Sequence, residues 1–214
     1  MAIKIGVWGA STTYGAKDNE LGGWVNRLRL YFSNNNQGIL VNNCGVSGAI
    51  ISEILDRFEI EAKHRQPDII IFSLGSNDGS SNEKEGKPKV SLEDFERYLQ
   101  KLISKSKKFT KEVIFTDQFK IEDSKTNPVG WGEFYYKNSR IQEYNSIIEK
   151  ICKQHNLTFI SLQNVLDIKE DLADGLHPNA RGHEKIFKKV LPVVAKIEKK
   201  LEDCNNSKNI LIKR

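Results

Sequence analysis

At 214 residues, 38% hydrophobic and 29% charged, the chain has the composition of an ordinary soluble protein with enough length for one sizeable core. No apolar run approaches the roughly 20 residues that span a bilayer, and the first expected strand begins too close to Met1 for a secretory leader, so a cytoplasmic location is expected. The formal charge of +5 invites a nucleic-acid reading, but no basic cluster is interleaved with aromatics, and no nucleic-acid partner or membrane is expected.

Lys4 to Trp8 reads as a short buried strand, followed at once by Gly9-Ala10-Ser11-Thr12-Thr13-Tyr14-Gly15. Small residues and hydroxyls crowd into the place where a strand hands over to a helix. In an open parallel sheet, ligands bind beyond the carboxyl ends of the strands. A serine there has an exposed hydroxyl and an N–H near a helix start. That suits a nucleophile with an oxyanion donor, and equally a phosphate cradle.

Trp24, Leu28 and Tyr31 fall at helical spacing within Gly23 to Ser33, and Asn34 to Gly38 is a polar turn. Ile39 to Cys44 is a second strand, ending in Gly45-Val46-Ser47-Gly48, and Ile50, Ile51, Ile54, Leu55 and Phe58 mark the next helix. After Pro67, Ile69 to Leu74 is a continuous apolar run, as expected of a strand covered on both faces. It ends in Gly75-Ser76-Asn77-Asp78-Gly79. A polar stretch from Ser80 to Val90 precedes Ser91, which with Asp94 marks a helix start. Leu92, Phe95, Leu99, Leu102 and Ile103 form that helix's buried stripe.

Glu112 to Asp117 is a fourth strand. Gln118 to Tyr136 has no clear period and holds Phe119, Trp131, Phe134 and Tyr135 beside Lys120, Glu122 and Lys125. A loop of that length is often functional. Ile141, Tyr144, Ile147, Ile148 and Ile151 define a long helix, and Leu157 to Ser161 a fifth strand. Asp174-Gly175-Leu176-His177-Pro178-Asn179 is a turn that opens the last helix, through Ile186, Val190, Val193 and Ile197. The tail from Asn205 to Arg214 carries no clear signal. Strands alternating with helices predict an α/β protein with a parallel sheet. No linker divides it, so a single domain is expected, with its core from about residue 4 to 194.

Cys44, Cys152 and Cys204 are an odd number without a C-x-x-C, so neither a zinc ribbon nor a dithiol site is indicated; Cys44 and Cys152 read as buried thiols. His64, His155 and His183 fall on helices without evident partners.

Four polar turns remain, holding Ser11, Gly45, Asn77, and the pair Asp174 and His177. Ester hydrolysis by a serine needs a base, a carboxylate to fix the base's tautomer, and donors for the oxyanion. Asp174 and His177 lie three apart across a turn, within reach for a carboxylate to meet Nδ1. The N–H groups of Ser11 and Gly45, with the Asn77 amide, could converge on one oxygen.

In these blocks the sequence resembles the SGNH (GDSL-type) hydrolases. Gly9-Ala10-Ser11, Asn43-Cys44-Gly45-Val46-Ser47-Gly48, Gly75-Ser76-Asn77-Asp78 and Asp174-Gly175-Leu176-His177-Pro178 match in the family's order, over Lys4 to about Val194. The resemblance implies a flavodoxin-like three-layer sandwich with a five-stranded parallel sheet between helices. It implies Ser11 as nucleophile, His177 as base and Asp174 as orienter. Ser11, Gly45 and Asn77 would form the oxyanion hole. No metal or cofactor is implied. Ala10 stands where the family usually has aspartate, a residue outside the triad.

The expected activity is hydrolysis of small carboxylic esters through an acyl-enzyme, with short-acyl esters of polar or carbohydrate alcohols favoured. Thioesterase, carbohydrate deacetylase and lysophospholipase activities would use the same residues. Two other readings stay open: a flavodoxin-like module binding phosphate or flavin on the Ser11 loop, and an SGNH fold kept only for binding. Against the flavin reading, the loop lacks the Thr-x-Thr-Gly-x-Thr pattern of such sites.

Overall fold

The computed structural model describes residues 2–35 and 38–212; Asn36 and Gln37 of the expected polar turn and the last two residues lie outside it. Five strands form one all-parallel sheet: β1 (Ile3–Gly9), β2 (Ile39–Gly45), β3 (Ile69–Ser73), β4 (Glu112–Thr116) and β5 (Thr158–Ile160), in the order β2-β1-β3-β4-β5. Between them run α1 (Ser11–Tyr14), α2 (Trp24–Asn35), α3 (Ile51–Arg65), α4 (Ser76–Gly79), α5 (Leu92–Ser106) and α6 (Asn138–His155), and α7 (Ala180–Ile212) follows β5.

Side chains alternate across a strand, and this alternation sorts the core into two layers. Ile5 and Val7 of β1, Ile69 and Ile71 of β3 and Ile114 of β4 pack with Trp24 and Leu28 of α2 and with Ile186 and Val190 of α7. Trp8, Ile70, Phe72, Val113 and Phe115 face the other way, onto Ile54 and Phe58 of α3, Phe95 and Leu99 of α5, and Ile148 of α6. The outcome is the expected α/β three-layer fold. β3 is buried at every residue, as its unbroken apolar run predicts.

The sequence places the element boundaries to within a few residues, with three differences. Ser11–Tyr14 and Ser76–Gly79 form separate helical turns of their own, where the residues marked polar turns, and Gly15 ends the first in the left-handed region. Pro178, a residue type suited to the first position of a helix, stays outside the last one, which opens at Ala180; Asn179 Oδ1 accepts the Gly182 N–H at 3.0 Å and caps its first turn. The helix also runs on to Ile212 through the expected tail, because no glycine or proline follows Pro192 to interrupt propagation. Among the described residues no helix is long and apolar enough to cross a membrane. Cys44 and Cys152 are buried and free; burial pushes their thiols up to about 11 and about 12.

The strand order reverses direction between β1 and β3, the switch point at which open α/β sheets bind ligands. Gly9 closes β1 there. A Cβ on it would lie 2.1 Å from Thr13 Oγ1 and 2.4 Å from the Ser73 carbonyl oxygen. Gly9→Ala should therefore lower unfolding stability by about 1–3 kcal/mol through overpacking alone, read as a shifted urea midpoint at constant slope.

Candidate active site

The carboxyl edge of the sheet gathers all four polar turns, the Gly45–Gly48 turn after β2 among them. Ser11 follows β1, Asn77 follows β3, and the loop after β5 returns with Asp174 and His177. His177 Nε2 lies 3.0 Å from Ser11 Oγ, and His177 Nδ1 lies 3.0 Å from Asp174 Oδ2. Asp174 Oδ1 accepts the backbone N–H groups of Leu176 and His177 at 3.0 and 2.8 Å. Burial alone would push this carboxyl up, but the bonds from the His177 ring and backbone outweigh it and hold Asp174 at about 2. A carboxylate so held only accepts. The proton on Nδ1 thus points to Asp174, and the Nε2 lone pair faces the serine hydroxyl.

The Asp174 turn is itself anchored. Ala173 N–H donates to the His177 carbonyl at 2.8 Å, and Asn179 N–H to the Asp171 carbonyl at 2.8 Å. The Asp171 side chain is fully buried and accepts from Arg181 and Lys185. Burial pushes this carboxyl up, but the bonds from Lys185, Arg181 and the Asp167 backbone, with the Lys185 charge, together hold it below the usual range.

Asn77 is buried with its amide fixed. The Tyr136 hydroxyl donates to Oδ1 at 2.9 Å, and Nδ2 donates to the Ala49 carbonyl at 3.0 Å. One Nδ2–H remains, and Asn77 lines the same cavities as Ser11. Its neighbour Asp78 is fully buried and accepts the Ile51 N–H at 2.8 Å. Asp78 is pushed up to about 7 by burial. The Asn77 and Asp78 side chains together strap the loop before α3 to the end of β3. Ala10 gives α1 no side-chain cap, so the leading N–H groups of that turn, Ser11's included, have no side-chain acceptor.

Gly45 is the expected donor that the structure does not bring to Ser11. Its N–H donates to Asn43 Oδ1 at 2.9 Å, and a Cβ there would meet the Tyr14 backbone nitrogen at 2.3 Å. Gly45 serves the packing of β2 against α1. Gly48 takes the place beside Ser11 and Asn77, with φ at +81° and open space where a Cβ would stand. Val46 to Ala49 is a turn closed by Ala49 N–H to the Val46 carbonyl at 3.1 Å, and glycine at its third position is the type II signature. That turn chemistry was the signal that could have separated the two glycines.

Two cavities meet at Ser11 and His177. The inner one is about 20 Å³, room for roughly one water-sized group, between Ser73, Leu74, Gly75, Phe119 and Leu176. The outer one is open, about 370 Å³, and bounded by Lys17, Gly48, Lys89, Trp131, Phe134 and Tyr136. The aromatics of the long loop divide accordingly. Phe119 and Tyr136 are buried, whereas Trp131 is 50% exposed and lies tilted over His177 at 5.3 Å between ring centroids. Asn145 exchanges two hydrogen bonds with the Gln118 backbone, and Asn138 two with Ile121. Tyr135 pairs with Ser81, and Glu122 N–H donates to the Gly175 carbonyl at 2.9 Å.

His183 has partners, contrary to its expected isolation. It is fully buried, accepts the Trp24 N–H on Nδ1 at 3.2 Å and bonds the Ala16 carbonyl through Nε2 at 3.1 Å. Nearby, the buried Asp18–Arg27 pair ties down the segment between α1 and α2. Sequence spacing could not show the His183 contacts, because their partners lie far apart along the chain.

The α/β three-layer fold is that of the SGNH-type hydrolases. The chain belongs to the GDSL-like lipase/acylhydrolase family, whose family model matches residues 7–185, and is a carboxylic ester hydrolase. It is 33% identical over 129 residues to a multidomain esterase of Ruminococcus flavefaciens, covering 59% of this chain and 15% of that protein's length. It is 26% identical over 160 residues to an acetylxylan esterase of Geobacillus stearothermophilus, covering 68% of each. Among solved structures, a lipase/acylhydrolase from Enterococcus faecalis superposes with a TM-score of 0.74 at 21% identity, over 90% of this chain and 95% of that one. The Geobacillus acetylxylan esterase superposes with a TM-score of 0.71 at 21% identity, over 89% and 93%.

Burial holds the His183 pKa below its ordinary 6.5. Below about pH 6.5 the unfolded chain takes up a proton that the folded one refuses, so this residue's contribution is complete above that pH and is lost as pH falls through its folded value. Urea unfolding at pH 7.5 and 5.0 should show a smaller acid loss in His183→Gln than in the wild type.

Proposed function

We propose that this domain hydrolyses acetyl and other short-acyl esters of polar alcohols through an acyl-enzyme on Ser11. The observation that carries the reading is the hydrogen-bonded row of Ser11 Oγ, His177 and Asp174. His177 Nε2 takes the hydroxyl proton as Oγ attacks the ester carbon. The same nitrogen then gives that proton to the departing alcohol, and a water molecule activated in turn by His177 releases the acid. Asp174 holds the tautomer throughout. The Ser11 N–H, the free Asn77 Nδ2–H and the Gly48 N–H, in place of Gly45, are the oxyanion donors. The Geobacillus esterase supports the assignment, since three of its structures are described as catalytic mutants at a serine, an aspartate and a histidine. A module that only binds phosphate or flavin would leave the Asp174–His177 pair without a role.

The acyl preference rests on the inner cavity, whose about 20 Å³ suits a methyl group and little more. The outer cavity is left for the alcohol. The acetylxylan-esterase relative points the same way, to an acetylated carbohydrate.

Ser11→Ala should lower kcat by about 10³ or more with the fold intact, and Asp174→Asn by a comparable factor; fluorophosphonate should label Ser11 in the wild type. Full turnover by Ser11→Ala would end the assignment. Asn77→Ala should cost about 10² to 10³ in kcat with little change in KM, because its bond strengthens only as charge develops. A panel of acetyl, butyryl, octanoyl and decanoyl esters should show kcat/KM falling with chain length, and a preference for decanoyl would refute the acyl assignment while leaving the row of side chains in place.

A further inference from the structure

We propose that the alcohol half of the natural ester carries an anionic group, a carboxylate or phosphate on a sugar-sized alcohol, held by Lys89 and Lys17 while its ring lies against Trp131. This rests on the esterase reading above and goes beyond it in naming the charge of the substrate.

Three charged side chains line the outer cavity: Lys17, Lys89 and Asp174. The Asp174 carboxylate is occupied on both oxygens by His177 and its own turn. Asp174 keeps its charge and faces Lys17 as a loose ion pair, so the two ammonium groups outnumber the one carboxylate and leave the mouth positive. Lys89 is exposed, with its Nζ 5.0 Å from the centre of the Phe134 ring and no carboxylate in ion-pair reach among the described residues. Lys17 is 52% exposed, and its Nζ stops 3.8 Å from Asp174 Oδ2, too far for a hydrogen bond. Both have donors left for a ligand.

The backbone at Lys17 adds an independent observation. Its φ is +67°, in the left-handed region, which a side-chain-bearing residue seldom adopts. The preceding residue, Ala16, is pinned by the buried His183. Strain of this kind persists where the surroundings over-determine it and collects at functional sites. Here it sets a lysine on the lining of the same cavity, of about 370 Å³, that the half-exposed Trp131 and Lys89 also border. An apolar face and two cations on one cavity fit a ring bearing a negative charge. Lysine presents a point charge and not a planar fork, so it accepts carboxylate or phosphate alike.

The test compares acetate release from three mono-O-acetylated probes: methyl glucoside, methyl glucuronide and glucose 6-phosphate. The wild type should favour at least one anionic probe over the glucoside by about fivefold or more in kcat/KM, carried by KM, and the advantage should shrink as salt rises from 0.05 to 0.5 M. Lys89→Gln should cut the anionic-to-neutral ratio about threefold, Lys89→Glu should bring it to one or below, and Lys17→Gln should act in the same direction as Lys89→Gln. The better of the two anionic probes tells carboxylate from phosphate. A wild-type ratio near one, or a ratio that neither Lys89 variant moves, overturns the proposal. Calorimetric binding of the same probes to Ser11→Ala reads the charge preference without turnover. Absence of acetate release from every ester by the wild type would therefore count against the esterase reading alone, and equal binding of charged and neutral probes against this one.

Discussion

Asp174 does two jobs with one carboxylate. Oδ1 closes the turn by accepting two backbone N–H groups, and Oδ2 meets the imidazole that the same turn presents. The tautomer of His177 and the shape of its loop are therefore set by a single ionised group. Buried without donors, that carboxyl would resist ionisation; with its hydrogen bonds from the His177 ring, the His177 backbone and Leu176 it stays charged well into acid. Everything at Ser11 depends on this, because an imidazole protonated on the wrong nitrogen offers the hydroxyl no lone pair.

The sheet supplies the other half of the constraint. A parallel sheet ordered β2-β1-β3-β4-β5 sends β1 and β3 side by side to the same edge, and their crossovers leave on opposite faces. The turns after those two strands then flank a crevice that neither helix layer covers. Ser11 and Asn77 enter it from below. The loop after β4, clamped at Asn138 and Asn145, closes one side and carries Trp131 over the histidine.

Much of this was legible in the residues because it is encoded locally. The strand runs, the Ser91 cap and the Asp174-x-x-His177 spacing each express short-range physics, and all four polar turns could be found by eye. Gly45 was the failure, and an instructive one. Two glycines in one block look alike in a sequence; only the turn from Val46 to Ala49, with its positive φ at Gly48, separates the one that packs against α1 from the one that borders the cavity. Tyr136 and His183 were missed for a different reason. Each acts through a partner dozens of positions or more away, Asn77 in one case and Ala16 in the other, and no periodicity records such a contact. The division of the long loop's aromatics into buried anchors and exposed rim was hidden likewise, since hydrophobicity does not say which side of a loop faces the core.

The two cavities differ in what builds them. The inner one is walled by Ser73, Leu74 and Gly75 at the end of the central strand and by Phe119 and Leu176 of the core. The outer one is walled by side chains standing on loops, Lys17, Lys89, Trp131 and Phe134. Enlarging the first means cutting into the packing that holds the molecule together, whereas the second can be resurfaced at little structural cost. On the proposed assignment of the acyl group to the inner cavity and the alcohol to the outer one, descent from a common ancestor should keep the released acid nearly constant while the recognised alcohol diversifies. An engineer wanting a new leaving group has a free hand at the rim, and one wanting a longer acyl chain must first rebuild the core.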